Sequence, residues 1–347
     1  MSHPTPRYAD PVAFAASRHR IVINLSGGKD GLVAGLIAMD AARQAGVADR
    51  VWTAHASLGP MEWPAVTVDG VRWPSASELA AQHSQVIGVP PERHVEIRRS
   101  REVDGERVPF DLLTFIAERG DWPWLGRART CTGPWKTRMV YQAFTPQVRM
   151  LRKETDGPLM FANVLGMRAE ESPDRRNREA LRRTTDNSAR IVDEWLPAHQ
   201  VSTQEVWERT ISAGLPYHWC YDSHPGAGDR RGSSRCSCSA CTLANHRDLL
   251  LMAGRRPRLA ELCALVERVR QVPFNPNITM AELIALSRRR DAPDPGVEVE
   301  ENADFERMER AVHAALRKPP AWDSKARTGP GEILHSAAGC DGCTVHS

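Results

Sequence analysis

The stretch IVINLSGGKDGLVAGL, residues 21–36, decides the fold. It opens with an apolar run typical of a buried strand, and apolar side chains then recur at helical spacing over residues 32–37. Residues 26–31 are therefore expected to form a turn from a strand into a helix. Adjacent glycines let the backbone approach a ligand closely, and the free N–H groups of a helix N-terminus attract anionic oxygens. The pattern predicts an anion-binding turn made of Ser26, Gly27, Gly28, Lys29 and Asp30.

Further apolar runs along the chain alternate with helical patterns. Strands are predicted at residues 20–25, 51–56, 94–97 and 159–165, and helices at residues 30–45 and 75–87. Alternation at this spacing is typical of a parallel sheet with helices on both faces. We therefore predict an α/β fold with an open, mainly parallel, five-stranded sheet covered by helices on both faces. A cysteine-containing and helical C-terminal extension follows it.

The composition bounds the class of protein. With 347 residues, 41% of them hydrophobic, the chain can bury a large core. The formal net charge of +3 is too small to indicate nucleic acid as a partner. No apolar run approaches the roughly 20 residues of a membrane span and no secretory signal pattern is present, so we expect a cytoplasmic protein with no membrane partner. Eight cysteines in such a chain favour metal, cluster or redox chemistry over a disulfide framework.

The glycine turn resembles the S-G-G-x-D-S pyrophosphate-binding loop of the adenine nucleotide alpha hydrolase superfamily. That superfamily contains ATP pyrophosphatases and phosphoadenylyl-sulfate (PAPS) reductases. The S-G-G-K-D form found here resembles the loop that is typical of the PAPS reductase branch. Gly31 stands where the family usually has serine or threonine, so a hydroxyl that could contact phosphate is missing. The spacing matches neither a Walker loop nor the dinucleotide-binding G-x-G-x-x-G.

Three further stretches resemble motifs of the same family, in the family's order. ARTCTGPWKTRMV, residues 128–140, is similar to R-x-C-T-x-x-x-K, and VLGMRAEESPDRR, residues 164–176, is similar to G-x-R-x-x-E-S-x-x-R. Residues 194–222 resemble P-x-x-x-W-[ST]-x-x-D-V-W followed by L-P-Y/N-x-x-Y-D. In that last segment, residues 199–202 depart from the usual tryptophan–threonine pair.

The resemblance implies roles for individual residues. Lys136 would act in catalysis by neutralising a phosphate or sulfate group, and Gly166 would permit a close turn beside the nucleotide. Arg168 and Arg175 would bind anionic oxygens with their planar guanidinium groups. The lysines are informative because the chain has only five, and both Lys29 and Lys136 lie in motif positions.

The cysteines form a second set of candidates. Cys238 and Cys241 have the C-x-x-C spacing that lets two thiolates bind one metal centre. Cys131 stands where cluster-bearing relatives have a cysteine pair, so the resemblance implies that it joins Cys238 and Cys241 in one site. We expect an iron–sulfur cluster there, with zinc as the alternative. The fourth ligand would come from one of four further cysteines, Cys220, Cys236, Cys340 or Cys343. The tail GCDGCTVHS also resembles, loosely, the tail of cluster-free reductases, which makes Cys343 a candidate catalytic nucleophile.

We divide the chain into a nucleotide-binding α/β domain at 1–200, a cysteine-containing segment with a helical extension at 201–335, and a flexible tail at 336–347. The predicted function is sulfur transfer that depends on PAPS or ATP, with Mg²⁺ if the nucleotide is ATP and with a thiol or sulfur donor protein as partner. One alternative is an ATP-pyrophosphatase-type sulfurtransferase that modifies nucleic acid, by DNA phosphorothioation or tRNA thiolation. The other is a non-catalytic nucleotide-binding module. The choice of nucleotide, the sulfur acceptor and the oligomeric state stay open at this point.

Overall fold

Six strands form the main sheet in the computed structural model, which describes residues 10–123, 131–236 and 238–321. The strands are β1 (Arg20–Asn24), β2 (Val51–Ser57), β3 (Val66–Val68), β4 (Val71–Trp73), β5 (His94–Arg98), β6 (Ser100–Val103), β7 (Glu106–Pro109), β8 (Leu159–Val164), β9 (Leu181–Asp186) and β10 (Arg190–Trp195). The main sheet has the order β5-β2-β1-β8-β10-β9, and its pairs are parallel except for β9 with β10. Strands β3 with β4 and β6 with β7 form two separate antiparallel pairs.

Helices cover both faces of the main sheet. They are α1 (Pro11–Ala16), α2 (Lys29–Gln44), α3 (Ala76–Ile87), α4 (Leu112–Arg119), α5 (Arg138–Ala143), α6 (Thr145–Leu151), α7 (Pro173–Arg176), α8 (Thr203–Ser212), α9 (His246–Arg255), α10 (Pro257–Arg270), α11 (Met280–Ser287) and α12 (Ala303–Leu316). Successive residues of a strand point to opposite faces. In β1, Ile21 and Ile23 share a buried cluster with α1, α2, α3 and α8, whereas Val22 shares one with α5 and α6.

The predicted α/β class and the open, mainly parallel sheet are confirmed, but the prediction of five strands was wrong because the sheet has six. The predicted strands and helices match β1, β2, β5, β8, α2 and α3 to within one residue at each end. The unpredicted part of the sheet is the β9–β10 hairpin, whose edge strand β9 has one buried residue, Leu181, followed by arginine, threonine and aspartate. An edge strand lacks the continuous apolar run that marks a parallel strand buried on both faces.

The C-terminal part of the described chain is cysteine-containing and helical. Helix α4 packs against α12 and α10, so helices from early and late in the sequence share one core. We call this core the joint core; it contains Leu113, Trp122 and Trp135 from the first part of the chain and Trp219, Leu249 and Val312 from the second. The division at residue 200 stays a prediction about domains. Within the described residues, no helix combines the length and apolar character that a membrane crossing requires.

Candidate functional site

The glycine turn after β1 lies where the connections of the sheet change direction. From β1 the chain proceeds to β2 and β5 on one side, and it later returns to β8, β10 and β9 on the other. The carboxyl ends of β1 and β8 therefore flank the switch point of the sheet, which is where open α/β sheets generally bind ligands. Helix α2 begins at Lys29, directly after the turn, so its first N–H groups point toward this place.

The geometry of the turn explains its two adjacent glycines. Gly27 has a φ of +72°, and a β-carbon on it would lie 2.6 Å from the carbonyl oxygen of Ala76 in α3. Gly28 is extended and forms the N-cap of α2. A β-carbon on Gly28 would lie 3.3 Å from the carbonyl oxygen of Cys236. A side chain at either position would therefore press against the backbone of another segment.

The turn after β8 contacts the first turn of α2. A β-carbon on Gly166 would lie 2.5 Å from the backbone nitrogen of Gly31 and 2.6 Å from its α-carbon. Only a residue without a β-carbon permits two backbones to approach this closely. Gly166 thus lies beside the glycine turn, and the connections after β1 and β8 meet at the switch point.

Lys29, Asp30 and Arg168 form a charge network at this turn. The ammonium of Lys29 lies 3.1 Å from the carboxylate of Asp30, which also accepts a hydrogen bond of 2.7 Å from Nε of Arg168. The same ammonium lies 4.9 Å from the ring centroid of Tyr221 and 5.4 Å from that of Trp207. Aromatic faces at this distance stabilise a cation. Lys29 is therefore buried in an aromatic and ionic environment directly under the turn.

Arg168 and Arg175 are both engaged with carboxylates. Nη1 of Arg168 donates hydrogen bonds of 3.1 Å to Glu170 and of 3.1 Å to the hydroxyl of Thr203. Arg175 forms an ion pair with Glu171 and is partly exposed. A phosphate or sulfate group would compete with these carboxylates for the guanidinium groups. The predicted anion-binding role of the two arginines stays a prediction.

The three cysteines predicted to bind a metal approach one another around Lys136. A hydrogen bond from Cys241 lowers the pKa of the Cys238 thiol to about 6, and the positive charge of Lys136 acts in the same direction. Burial raises the pKa of the Cys131 thiol, and the nearby Cys238 raises it further. We call Cys131, Cys238, Cys241 and Lys136 the thiol site. It joins side chains that are 107 residues apart in the sequence, from Cys131 to Cys238.

A buried histidine connects the thiol site to the end of β1. Nδ1 of His55 lies 2.8 Å from the carbonyl oxygen of Leu25, the residue before the glycine turn, and Nε2 lies 3.0 Å from the carboxylate of Glu62. Burial lowers the pKa of His55, but the charge and hydrogen bond of Glu62 together with the hydrogen bond to Leu25 raise it overall. The backbone of Glu62 pairs with that of Cys238 in an isolated β-bridge. Two residues, His55 and Glu62, thus connect the glycine turn to the thiol site.

Tyr221 makes a second connection between the two sites. Its hydroxyl oxygen accepts hydrogen bonds from the backbone N–H of Lys29 at 3.4 Å and of Cys236 at 3.2 Å. Tyr221 therefore holds the glycine turn against the segment that leads to Cys238. His55 and Glu62 lie in none of the motifs, and Tyr221 lies in the segment that resembles L-P-Y/N-x-x-Y-D but had no predicted role. Their contacts with Leu25, Cys238 and Lys29 join distant parts of the chain, which no local pattern predicts.

Lys136 is the cation of the thiol site. Burial lowers the pKa of its ammonium, but the negative groups around it, Cys238 and Glu62 foremost, raise that pKa overall. Lys136 therefore stays protonated beside the thiols.

An open cavity of about 220 Å³ begins next to Glu62, at the carboxyl end of β2, and its wall includes Ser57. The predicted nucleophile Cys343 lies outside the described residues.

The fold and site define a mainly parallel α/β protein with a glycine turn at the switch point of the sheet beside a cysteine site. No family model matches the chain, and no curated protein matches it. The chain is similar to a solved structure of PAPS reductase from Candida auris in a phosphate complex, with a TM-score of 0.34 and 12% identity over 61% of this chain and 83% of that one. The motifs described above resemble the family of that enzyme.

A second solved structure is also similar to this chain. It is FMN adenylyltransferase from Candida glabrata in complex with FMN and the ATP analogue AMPCPP. The TM-score is 0.33 with 10% identity, over 65% of this chain and 67% of that one. With TM-scores below 0.5, neither superposition assigns a function to this chain.

Proposed function

We propose that this protein is an enzyme that binds PAPS or ATP at the glycine turn and transfers sulfur at the thiol site. The observation that carries the proposal is the connection from Leu25 through His55 and Glu62 to Cys238. It couples the thiols to the carboxyl end of β1, where the turn begins. A nucleotide whose phosphates bind at the N-terminus of α2 would therefore present its reacting group to the thiol site.

The binding part of the proposal rests on the turn residues 26–30 together with Gly166. Their backbone N–H groups and the N-terminus of α2 supply the attraction for phosphate oxygens, and Ser26 adds a hydroxyl. The charges of Lys29 and Arg168 are shared with Asp30. If the nucleotide is ATP, Mg²⁺ enters as part of the substrate.

The residues of the thiol site fit an iron–sulfur cluster better than they fit one zinc ion. Zinc bound tetrahedrally at about 2.3 Å from each sulfur requires sulfur atoms about 3.8 Å apart. Among the described residues, the one group of three such ligands whose atoms all lie within 4.8 Å of one another is a different one. Cys131, Cys238 and Cys241 do not form such a group, although Cys238 and Cys241 are hydrogen-bonded to each other, and three thiolates are usual ligands of iron–sulfur clusters. Such a cluster would supply redox and sulfur-binding chemistry next to the nucleotide.

With PAPS, the reaction begins when a cysteine thiolate attacks the sulfur of the sulfonate group. The bond from that sulfur to the bridging phosphate oxygen breaks, and the adenosine bisphosphate leaves with the electron pair. A thiol of the donor protein then attacks the cysteine sulfur, which forms a mixed disulfide and releases sulfite. Lys136 would neutralise the sulfonate oxygens during the first step, and Cys343 is the candidate nucleophile.

With ATP, the reaction would be an adenylation. An oxygen of the sulfur acceptor attacks the α-phosphorus, and pyrophosphate leaves as the Mg²⁺ complex. A hydrosulfide supplied by the donor protein then attacks the acceptor atom that bears the adenylated oxygen, a bond to sulfur forms, and AMP leaves with that oxygen. Both reactions need the same nucleotide site, and they differ in the product that the enzyme releases.

The test is to purify the protein anaerobically, record its visible spectrum and iron content, and incubate it with PAPS plus a dithiol or with Mg²⁺–ATP. We expect a brown protein whose colour is lost in Cys238→Ser and retained in Cys263→Ser, because Cys263 is buried in α10 away from the thiol site. Release of sulfite identifies the reductase, and release of pyrophosphate identifies the adenylating enzyme. Release of neither by a protein that binds nucleotide would identify a non-catalytic module and contradict the proposal.

A further inference from the structure

A second group of possible metal ligands lies apart from the thiol site. His218, Cys220 and Cys236 each offer one ligand atom, and these atoms all lie within 4.8 Å of one another. All three residues are buried, and the two cysteines belong to the joint core. His218 caps the short helical turn Trp219–Tyr221 that contains Cys220, so two of the ligands come from one turn. The third ligand, Cys236, lies in the segment that precedes Cys238.

The ring of His218 shows an independent sign of a missing partner. Its Nδ1 accepts a hydrogen bond of 3.1 Å from the backbone N–H of Cys220. Within the described part of the chain its Nε2 has no hydrogen-bond partner, although the residue is fully buried. Buried ring nitrogens are usually satisfied, because an unpaired polar atom loses its hydration without compensation. A ligand at this place would remove that cost.

We propose that His218, Cys220 and Cys236 bind a structural zinc ion. Imidazole and thiolate are preferred zinc ligands, at about 2.0–2.1 Å for nitrogen and about 2.3 Å for sulfur. Ligand atoms within 4.8 Å of one another reach the tetrahedral separation of about 3.8 Å by small side-chain rotations. When Zn²⁺ binds, the two thiols release two protons to solvent, and the ion with two thiolates and a neutral imidazole carries no net charge. A neutral centre is compatible with the apolar surroundings.

Zinc binding costs one local hydrogen bond of the histidine. If zinc binds Nδ1, the metal takes the lone pair that now accepts the hydrogen bond from Cys220. If zinc binds Nε2, the ring proton moves to Nδ1, which then no longer accepts that hydrogen bond. One such hydrogen bond is worth far less than the binding free energy of a structural zinc ion. Asp248 is the carboxylate whose charge acts on Cys220, so it is the other candidate for the fourth ligand. Its oxygens already accept two hydrogen bonds from Ser234, and we therefore assign the fourth position to a water molecule.

The position of the zinc gives it a defined structural role. Cys220 precedes Tyr221, whose hydroxyl binds the backbone of Lys29 and of Cys236. The carbonyl oxygen of Cys236 lies against Gly28. A zinc ion that joins Cys220 to Cys236 would therefore fix the segment on which the glycine turn rests. This proposal does not depend on the reaction proposed above.

The test compares the metal content of the wild type with that of four variants, all purified anaerobically. We expect one zinc per chain in the wild type, Cys238→Ser and the control Cys263→Ser, and an at least ten-fold lower zinc content in Cys236→Ser and His218→Ala. Iron should be lost in Cys238→Ser and kept in the wild type and in the other three variants. X-ray absorption at the zinc edge of the wild type should show two sulfur ligands, with nitrogen or oxygen completing the shell.

Three results would overturn the zinc site. The first is a wild-type protein without zinc, which is decisive even if the variants fail to fold. The second is zinc that is lost in Cys238→Ser and kept in Cys236→Ser, because the ion would then belong to the thiol site. The third is a Cys220–Cys236 disulfide, detected by peptide mapping of anaerobically prepared protein without reduction.

Discussion

Gly166 lies so close to Gly31 that a β-carbon on Gly166 would stand 2.5 Å from the Gly31 backbone nitrogen. The two glycines belong to different connections, one after β8 and one in the first turn of α2. Their contact sets the distance between the two connections that flank the switch point, one after β1 and one after β8. The shape of the anion-binding turn therefore depends on a residue that is 135 positions away in the sequence.

The first prediction concerns Gly166→Ala. The added methyl group must push the two backbones apart, and overpacking of this kind typically lowers the free energy of unfolding by about 1–3 kcal/mol. Nucleotide affinity should fall as well, because the turn moves. Urea unfolding and calorimetry with ATP and PAPS measure the two effects. Gly133→Ala is the control, since a β-carbon there meets nothing within 4 Å; equal behaviour of the two variants would contradict the prediction.

The second prediction is that Gly31→Ser strengthens nucleotide binding. A β-carbon on Gly31 makes an ordinary contact of 3.4 Å with the carbonyl oxygen of Asn24, so the fold accommodates the change. The new hydroxyl stands where the resembling family has serine or threonine. A hydrogen bond to a charged phosphate is worth about 1.5–3 kcal/mol, which corresponds to about a ten-fold or greater gain in affinity. If Gly31→Ala gains as much as Gly31→Ser, the hydroxyl is not the cause.

The third prediction concerns the lysine of the thiol site. Lys136→Ala removes the cation beside the thiols, and the affinity for PAPS should fall about ten-fold or more because a charged partner of the sulfonate is lost. Lys153→Ala removes an equal charge from the exposed end of α6 and should change nothing. Calorimetry on both variants decides the matter. Equal affinities for the two variants and the wild type would place Lys136 outside the substrate site.

The fourth prediction is a pH dependence of stability caused by His83. Burial lowers the pKa of this histidine to about 4, and its Nε2 donates to the carbonyl oxygen of Pro216. The unfolded chain takes up the proton near pH 6.5, before the folded chain does, so stability falls as the pH drops from about 6.5 toward 4. Between pH 7.5 and pH 5 this single group should remove about 2 kcal/mol.

The measurement for this prediction is urea unfolding of the wild type and of His83→Gln at the two pH values. The variant has no titrating group at this position, so it should lose about 2 kcal/mol less than the wild type over the same interval. Its lower stability at pH 7.5 does not affect the comparison, because only the pH-dependent difference is read. Parallel slopes for the two proteins would show that His83 titrates normally.

The sequence predicts one side of the sheet better than the other. The inner parallel strands β1, β2 and β8 each leave a run of apolar residues, and the edge strand β5 beside β2 was predicted as well. The hairpin of β9 and β10 contains six charged residues among twelve, so it shows no continuous apolar run in the sequence. Within this hairpin, β10 pairs with β8, and no local sequence pattern predicts that pairing.

The candidate site divides in the same way. The glycine turn is a local feature, so its five residues and the start of α2 follow from the sequence directly. The meeting of Cys131 with Cys238 and Cys241 came from a family resemblance, because spacing alone does not bring residues 107 positions apart together. Among the connecting residues, His55 and Glu62 lie in no motif, and Tyr221 lies in a motif-like segment without a predicted role. All three act through tertiary contacts, which a single sequence does not report.

The joint core has a consequence for synthesis on the ribosome. Helix α4 packs against α12, and Val312 of α12 follows Leu113 of α4 by 199 residues. At roughly 5–20 residues per second, a ribosome needs about 10 to 40 s to add that length. Throughout this interval Leu113, Trp122 and Trp135 have no complete core to enter. The emerging first half thus presents apolar and tryptophan side chains to solvent, and a chaperone that shields them should raise the yield of folded protein.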